Sequence, residues 1–181
     1  MIIVDTNVIS ELMRTAPAKQ VEQWLSEQDG ASIYITAITE AELRFGVAIC
    51  EDIWSADGPV RAQAKANAVV MLNINGSPYH DGKHVDREEM LAARAREAHA
   101  PIVYVNQVGG QDELVFEGSS VVLDARGNVA CRLRSFESDF EIVDIDTSAG
   151  TVAPARIEPF DSDIDRMHTA LVVGTRDYIT K

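Results

Sequence analysis

Residues 69–83 read VVMLNINGSPYHDGK, an apolar run that gives way to a polar loop containing glycine and proline. The run over residues 69–74 predicts a strand, and the loop after it marks its end. Helical patterns flank it at residues 59–68 and 86–99, and apolar runs at residues 47–50 and 102–106 predict two further strands. Strands that alternate with helices in this way predict an α/β fold with a parallel sheet.

The rest of the chain predicts shorter elements. Downstream, strands are expected at residues 115–116, 120–123, 129–133 and 140–145, followed by a linker at 148–159 and a helix from 161 to about 174. Upstream, residues 1–4 and 32–38 predict strands, while helices are expected at residues 8–13, around Val21, Trp24 and Leu25, and from Thr39 onwards. The first segment therefore reads β-α-α-β-α, the beginning of another parallel α/β sheet.

Composition restricts the function classes. The chain has 181 residues and a net charge of −13 at pH 7, which disfavours nucleic-acid binding through a basic surface. Two cysteines are too few for a disulfide framework, and we expect neither a signal peptide nor a membrane span. The expected protein is soluble and cytoplasmic.

Two motifs in the first segment resemble a known nuclease family. IIVDTNVISELMR at residues 2–14 and SIYITAITEAELRFGVA at residues 32–48 resemble the opening of a PIN domain, in particular the toxin ribonucleases of bacterial toxin–antitoxin pairs. The resemblance implies that Asp5 and Glu42 are metal-binding carboxylates for Mg²⁺ or Mn²⁺, with RNA or an antitoxin as partner. Residue types alone favour a structural interpretation, in which Asp5 caps a helix and Glu42 is a capping-box residue. The family's later acidic residues have no counterpart after Gly46, so this metal site is expected to be incomplete.

The larger part of the chain resembles a different family. The motifs are GVAICEDIW at residues 46–54, VVMLNINGSPYHDGK at 69–83, APIVYVNQVGGQDELVFEGSS at 100–120 and ALVVGTRDYITK at 170–181. Together they resemble the glutaminase domain of glutamine-dependent NAD⁺ synthetase, a carbon-nitrogen hydrolase of the nitrilase superfamily. The resemblance implies a truncated α-β-β-α sandwich. It also implies three parts: a PIN-like segment at residues 1–46, a partial glutaminase domain at 47–147, and a linker and helix at 148–181 leading to a synthetase domain absent from this chain.

The same resemblance implies a chemistry for named residues. Cys50 is the nucleophile that attacks the side-chain amide of glutamine, the Glu51 N–H helps to bind the oxyanion, and Ser77 and Lys83 bind the substrate. The superfamily also requires a Glu base and a Lys, both upstream of the cysteine. The upstream candidates stand in no matching motif; they are Glu11, Lys19, Glu22, Glu40 and Glu42.

The cysteine and histidine side chains also have non-catalytic interpretations. Without the resemblance, Cys50 itself reads as an inert core residue after three apolar positions. Cys131 is expected in the core, and His80, His84 and His99 are expected at solvated positions.

The sequence therefore leaves three function classes open. The first is a glutaminase-type amidohydrolase working with a synthetase domain or subunit. The second is a divalent-metal ribonuclease, and the third is a non-catalytic, unstable remnant. Because two members of the triad are missing, we expect little or no glutamine hydrolysis by the isolated chain.

Overall fold

The computed structural model describes residues 1–4, 8, 12, 16–36, 44–55 and 58–180. Eleven strands are formed within these ranges: β1 (Ile2–Val4), β2 (Ile33–Ile35), β3 (Phe45–Ile49), β4 (Val70–Asn75), β5 (Ile102–Asn106), β6 (Val108–Gln111), β7 (Leu114–Glu117), β8 (Val121–Leu123), β9 (Val129–Arg132), β10 (Ile145–Asp146) and β11 (Thr151–Val152). The α-helices of the same ranges are α1 (Lys19–Ser26), α2 (Pro59–Lys65), α3 (Lys83–Ala98) and α4 (Asp163–Thr180).

The main sheet contains five strands in the order β3-β4-β5-β8-β9. Its first three strands are parallel, whereas β8 pairs antiparallel with both β5 and β9. The predicted α/β fold with parallel strands is confirmed for β3, β4 and β5. The parallel strands bring their carboxyl ends to one edge of the sheet, directly after Ile49, Asn75 and Asn106.

The two faces of this sheet are covered differently. Helices α2 and α3 pack on one face and bury a core around Ala48, Met71, Ile102 and Leu123. On the opposite face, the β3–β4–β5 end exposes large apolar side chains that lie in register across the strands. We call this set the open face: Phe45, Val47, Ile49, Ile74 and Val105.

Part of the second face is covered by a segment without regular structure. Residues 140–145 were predicted to form a strand, but only Ile145 belongs to one. The prediction fails because side-chain hydrogen bonds hold this segment, and a β-ladder does not. Arg156 donates to Asp139 at 2.7 Å and to Glu141 at 3.1 Å. Between the segment and the sheet lies a cavity of about 230 Å³.

The carboxyl-terminal helix packs on a hairpin of which the sequence predicted only the strand at residues 115–116. Strands β6 and β7 pair antiparallel, and the Gly110 N–H donates to the Asp177 carboxylate of α4 at 2.7 Å. A Cβ at Gly174 would lie 2.9 Å from Val115, so the helix approaches the hairpin where α4 carries no side chain. The helix runs to Thr180, beyond the predicted end near residue 174.

The amino-terminal segment forms a separate small unit. Strands β1 and β2 pair parallel, with Ile2 opposite Ile33, and do not join the five-stranded sheet. Among the described residues of positions 1–36, Val4 is the only buried one, and α1 buries none of its side chains. The predicted strands and the helix around Trp24 are confirmed, whereas the helices predicted at residues 8–13 and from Thr39 fall largely outside the described ranges. None of the described helices combines the length and apolar character needed to cross a membrane.

Candidate active site

Cys50 follows the carboxyl end of β3 in an unusual backbone conformation. Its φ is +51°, in the left-handed region that residues with a Cβ seldom adopt. Such conformations cost about 1–3 kcal/mol and are concentrated at functional sites. The side chain is half-buried, so strand β3 presents the thiol at a strained turn on the sheet edge.

A short 3-10 turn, Cys50–Ile53, fixes the backbone on the carboxyl side of the cysteine. The Ile49 N–H donates to the Asp52 carboxylate at 3.1 Å, and the Trp54 N–H donates to the Glu51 carbonyl at 3.0 Å. Ile53 anchors the turn in the core, while the Glu51 side chain is exposed. The turn therefore holds the Glu51 backbone immediately beside the thiol.

Lys83 lies next to this turn. It is the first residue of α3, and Gly82 before it adopts a φ of +74°, a conformation suited to glycine. Its Nζ lies 5.7 Å from the centre of the Trp54 ring. The structure thus brings the predicted substrate-binding lysine close to the segment that carries Cys50.

Ser77 is fixed by a residue that the sequence did not single out. The Ser77 N–H donates to the Asn106 side-chain oxygen at 3.0 Å, and the Asn106 amide donates to the Gly118 carbonyl at 3.0 Å. Asn106 ends β5, opposite Asn75 at the end of β4. The sequence signal that could have identified Asn106 is its position as a polar residue at the end of a buried strand, like Asn75 at the end of β4.

Tyr104 connects these residues in the buried interior. Burial raises the pKa of its hydroxyl, and the Arg87 guanidinium and Ser77 act in the opposite direction. The charge of Cys50 also contributes to this rise, which places the thiol within electrostatic reach of the ring. The Arg87 guanidinium carbon lies 5.6 Å from the ring centre.

Behind Tyr104 lies a buried group of ionic side chains. Glu117 is fully buried and accepts a hydrogen bond from Arg87 at 2.9 Å and another from Arg166. Arg87 belongs to α3 and Arg166 to α4, so a single carboxylate of β7 joins two helices. We call these three residues the buried ion triad. It was not predicted, although Arg87 shares the inner stripe of α3 with Leu91 and Ala95.

The remaining predicted residues have mixed outcomes. Cys131 is buried as expected, and burial raises the pKa of its thiol. His80 and His99 are exposed as expected. The prediction for His84 is wrong: the ring is buried and packs against Phe160, with the ring centres 4.5 Å apart and the planes inclined at 59°. Burial lowers its pKa.

The proposed metal ligands Asp5 and Glu42 both lie outside the described residues. Within the described part of the chain, no three His, Cys, Asp or Glu side chains are grouped so as to hold a metal ion. The Mg²⁺ or Mn²⁺ site therefore stays a prediction.

Comparison with known proteins identifies the family. The chain matches the carbon-nitrogen hydrolase family over residues 7–154. It belongs to this family. The match begins inside the segment that resembles a PIN domain. The family match gives no support to the PIN resemblance.

The relatives make the family assignment more specific. Glutamine-dependent NAD(+) synthetase of Rhodobacter capsulatus is 41% identical over 138 residues, covering 75% of this chain and 25% of that protein. The Xanthomonas campestris pv. campestris protein with the same description is 39% identical over 146 residues, covering 80% of this chain and 26% of its own. The solved structure of glutamine-dependent NAD⁺ synthetase from Acinetobacter baumannii in complex with ADP superposes with a TM-score of 0.70 at 39% identity, over 75% of this chain and 26% of that one. The resemblance to a glutaminase domain is thereby confirmed, and the chain spans about a quarter of the length of these relatives.

Proposed function

We propose that this chain provides the nucleophile side of a site that hydrolyses the side-chain amide of glutamine. The observation that carries the proposal is the strained, half-buried Cys50 at the carboxyl end of a parallel strand. Lys83 lies beside Trp54 of the same turn, and Ser77 and Cys50 both influence the pKa of the Tyr104 hydroxyl. The similar proteins are glutamine-dependent NAD⁺ synthetases, which supports glutamine as the substrate.

The proposed reaction is consistent with these positions. The Cys50 thiolate forms a bond to the amide carbon, and the carbonyl oxygen becomes an oxyanion near the Glu51 N–H. The carbon–nitrogen bond then breaks, and the nitrogen leaves as ammonia after taking up a proton. Water cleaves the resulting thioester, which releases glutamate and restores the thiol. Ser77 and Lys83 hold the substrate throughout.

In the part of the chain that the structure describes, no base contacts Cys50. Within the described residues, the Cys50 sulfur forms no hydrogen bond with any Glu or Lys, and Glu40 and Glu42 lie outside those residues. Attack on the amide needs a group that takes the thiol proton and returns it to the leaving nitrogen. We therefore propose that the isolated chain turns glutamine over very weakly or not at all, and that a synthetase domain or subunit is the partner that would consume the ammonia.

Two measurements test this proposal. An electrophilic ketone analogue of glutamine should add covalently to Cys50, as shown by intact mass and peptide mapping, while ammonia release from glutamine stays near background. Cys50→Ala should abolish the adduct, and Cys131→Ala, the matched control at the buried thiol, should leave it unchanged. Labelling at Cys131 with Cys50 unmodified would refute the assignment of the nucleophile.

A metal-dependent ribonuclease is a second candidate because β1, α1 and β2 form a parallel β-α-β unit. Only Asp5 and Glu42 are proposed as ligands, and Mg²⁺ retains its waters unless several oxygen ligands hold it. We therefore expect no RNA cleavage in Mg²⁺ or Mn²⁺. Cleavage that Asp5→Asn abolishes would show that other carboxylates complete the site. The third candidate, a non-catalytic remnant, would instead give neither an adduct nor cleavage.

A further inference from the structure

The outer side of α4 is apolar along the length of the helix. The inner side faces the hairpin: Arg166, Ala170 and Val173 are buried, and Asp177 accepts a hydrogen bond from the Gly110 N–H. The apolar residues of the outer side are between 49% and 80% exposed; they are Ile164, Met167, Leu171, Val172, Tyr178 and Ile179. We call this set the outer stripe. A helix packed on one side normally turns polar side chains to water on the other, so the stripe indicates a second contact surface.

The spacing of the outer stripe is typical of a helix that packs against another helix. Ile164, Leu171 and Tyr178 follow one another at intervals of seven residues, with Met167 between the first two. Seven residues make almost two turns, so these side chains lie in one row along about 21 Å of the helix. A stable interface buries about 600–1,000 Å² on each partner, and the largely exposed side chains of the stripe offer an apolar area of this order.

Two charges beside the outer stripe define the direction of the partner helix. Asp165 and Arg176 are both exposed and eleven positions apart, about three full turns, so they lie on the same flank of α4. Within the chain, Arg176 donates to neighbouring Asp177, and its side chain remains 58% exposed. The midpoint between the two charges lies beside Leu171. An antiparallel helix related by a two-fold axis at Leu171 therefore places Asp165 of each copy opposite Arg176 of the other, whereas a parallel pair keeps like charges at the same level.

We propose that the outer stripe of α4 binds the outer stripe of a second copy of this chain, with the two helices antiparallel and related by a two-fold axis at Leu171. In this arrangement Leu171 contacts its own counterpart. Ile164 of each copy lies opposite Tyr178 of the other, because both are seven residues from the axis. Two Asp165–Arg176 pairs close one side of the contact. The proposal is independent of the activity of Cys50.

Cysteine cross-linking tests this arrangement, because it reports which positions meet and not only the size of an oligomer. The Cys50→Ala chain is used, since its remaining thiol, Cys131, is buried. On mild oxidation, Leu171→Cys in this chain should form a disulfide-linked dimer. Ile164→Cys alone and Tyr178→Cys alone should link little, whereas a mixture of these two chains should give the mixed dimer.

Val85→Cys measures random collision, because Val85 is exposed on α3 and lies outside the outer stripe. It also accounts for association through the open face, which does not bring α4 helices together in register. If Leu171→Cys links no faster than Val85→Cys, the proposal is overturned and the stripe is the docking surface of a different protein. Self-linking of Ile164→Cys and of Tyr178→Cys as rapid as that of Leu171→Cys would indicate parallel helices and would also overturn it.

A charge exchange then tests the Asp165–Arg176 contacts in the Leu171→Cys chain. Arg176→Asp should slow the cross-linking at least about tenfold, because each helix then meets like charges at both ends of the contact. Asp165→Arg combined with Arg176→Asp should restore the rate. Both side chains are exposed, so circular dichroism should show an unchanged fold in each chain. A rate that Arg176→Asp leaves unchanged, or that the combined exchange fails to restore, would overturn the arrangement.

Discussion

At the residue scale, the backbone of Cys50 gives the site a measurable stability cost. A left-handed conformation is unfavourable for any residue with a Cβ and is readily adopted by glycine. Cys50→Gly should therefore be more stable than Cys50→Ala by about 1 kcal/mol, although both lack the thiol. Urea unfolding of the two variants measures the difference. Identical stabilities would mean that the turn relaxes to an ordinary conformation.

The buried carboxylate of Glu117 should be the most sensitive position in the described structure. Glu117→Gln leaves two buried arginines without a counter-charge, which should destabilise the fold by about 3–5 kcal/mol. Glu97→Gln, which changes an exposed carboxylate paired with the largely buried Arg94, should cost less than about 1 kcal/mol. Denaturant midpoints of both variants check this, and similar losses would show that the triad is not essential to the fold.

Sequence motifs found some residues of the site and could not find others. Cys50, Ser77 and Lys83 stand in continuous motifs, so local pattern was sufficient to propose them. Glu117 and Arg166 are 49 positions apart and meet only because α4 folds back onto the hairpin. The local sequence pattern around Glu117 or Arg166 does not predict that these two residues form an ion pair.

At the scale of elements, the start of α3 makes stability depend on pH. Burial against Phe160 lowers the pKa of His84 below its ordinary value of 6.5, so the unfolded chain binds a proton that the folded chain resists. Stability should therefore fall as the pH drops through about 6.5 and below. Asp124, Asp139 and Asp146 have lowered pKa values and act only in a more acidic range.

His84→Gln provides the comparison. Thermal unfolding between about pH 5 and pH 8 should show a smaller loss of stability on acidification in this variant than in the parent chain. Parallel curves for the two proteins would mean that another group carries the effect.

The elements themselves could be predicted where hydrophobic pattern decides them. Strands β4 and β5 are apolar runs that end at polar residues, and both occur as expected. Residues 140–145 have a similar pattern but lie over the second face of the sheet, where Arg156 pairs with Asp139 and Glu141. Competition between side-chain pairing and strand pairing is not visible in the local sequence.

At the scale of the whole molecule, the open face should cause association. It places five exposed apolar side chains, between 41% and 66% exposed, on adjoining parallel strands. Patches of this kind on soluble chains favour self-association. We expect concentration-dependent oligomers in analytical ultracentrifugation, and the double variant Ile74→Lys with Val105→Lys should shift them towards monomer.

Val85 supplies the control, because it is 51% exposed on α3 and lies outside the open face. Val85→Lys should leave the oligomers unchanged. A monodisperse monomer of the parent chain at all concentrations, with a sharp thermal transition, would contradict this expectation.

The contact between Glu117 and Arg166 also sets an order of events during translation. Residue 166 leaves the ribosome 49 residues after residue 117, an interval of roughly 2–10 seconds at about 5–20 residues per second. Throughout that interval Glu117 can pair with Arg87 alone, and Phe136 has no helix to cover it. The nascent chain therefore exposes an incompletely assembled interior to chaperones until α4 emerges.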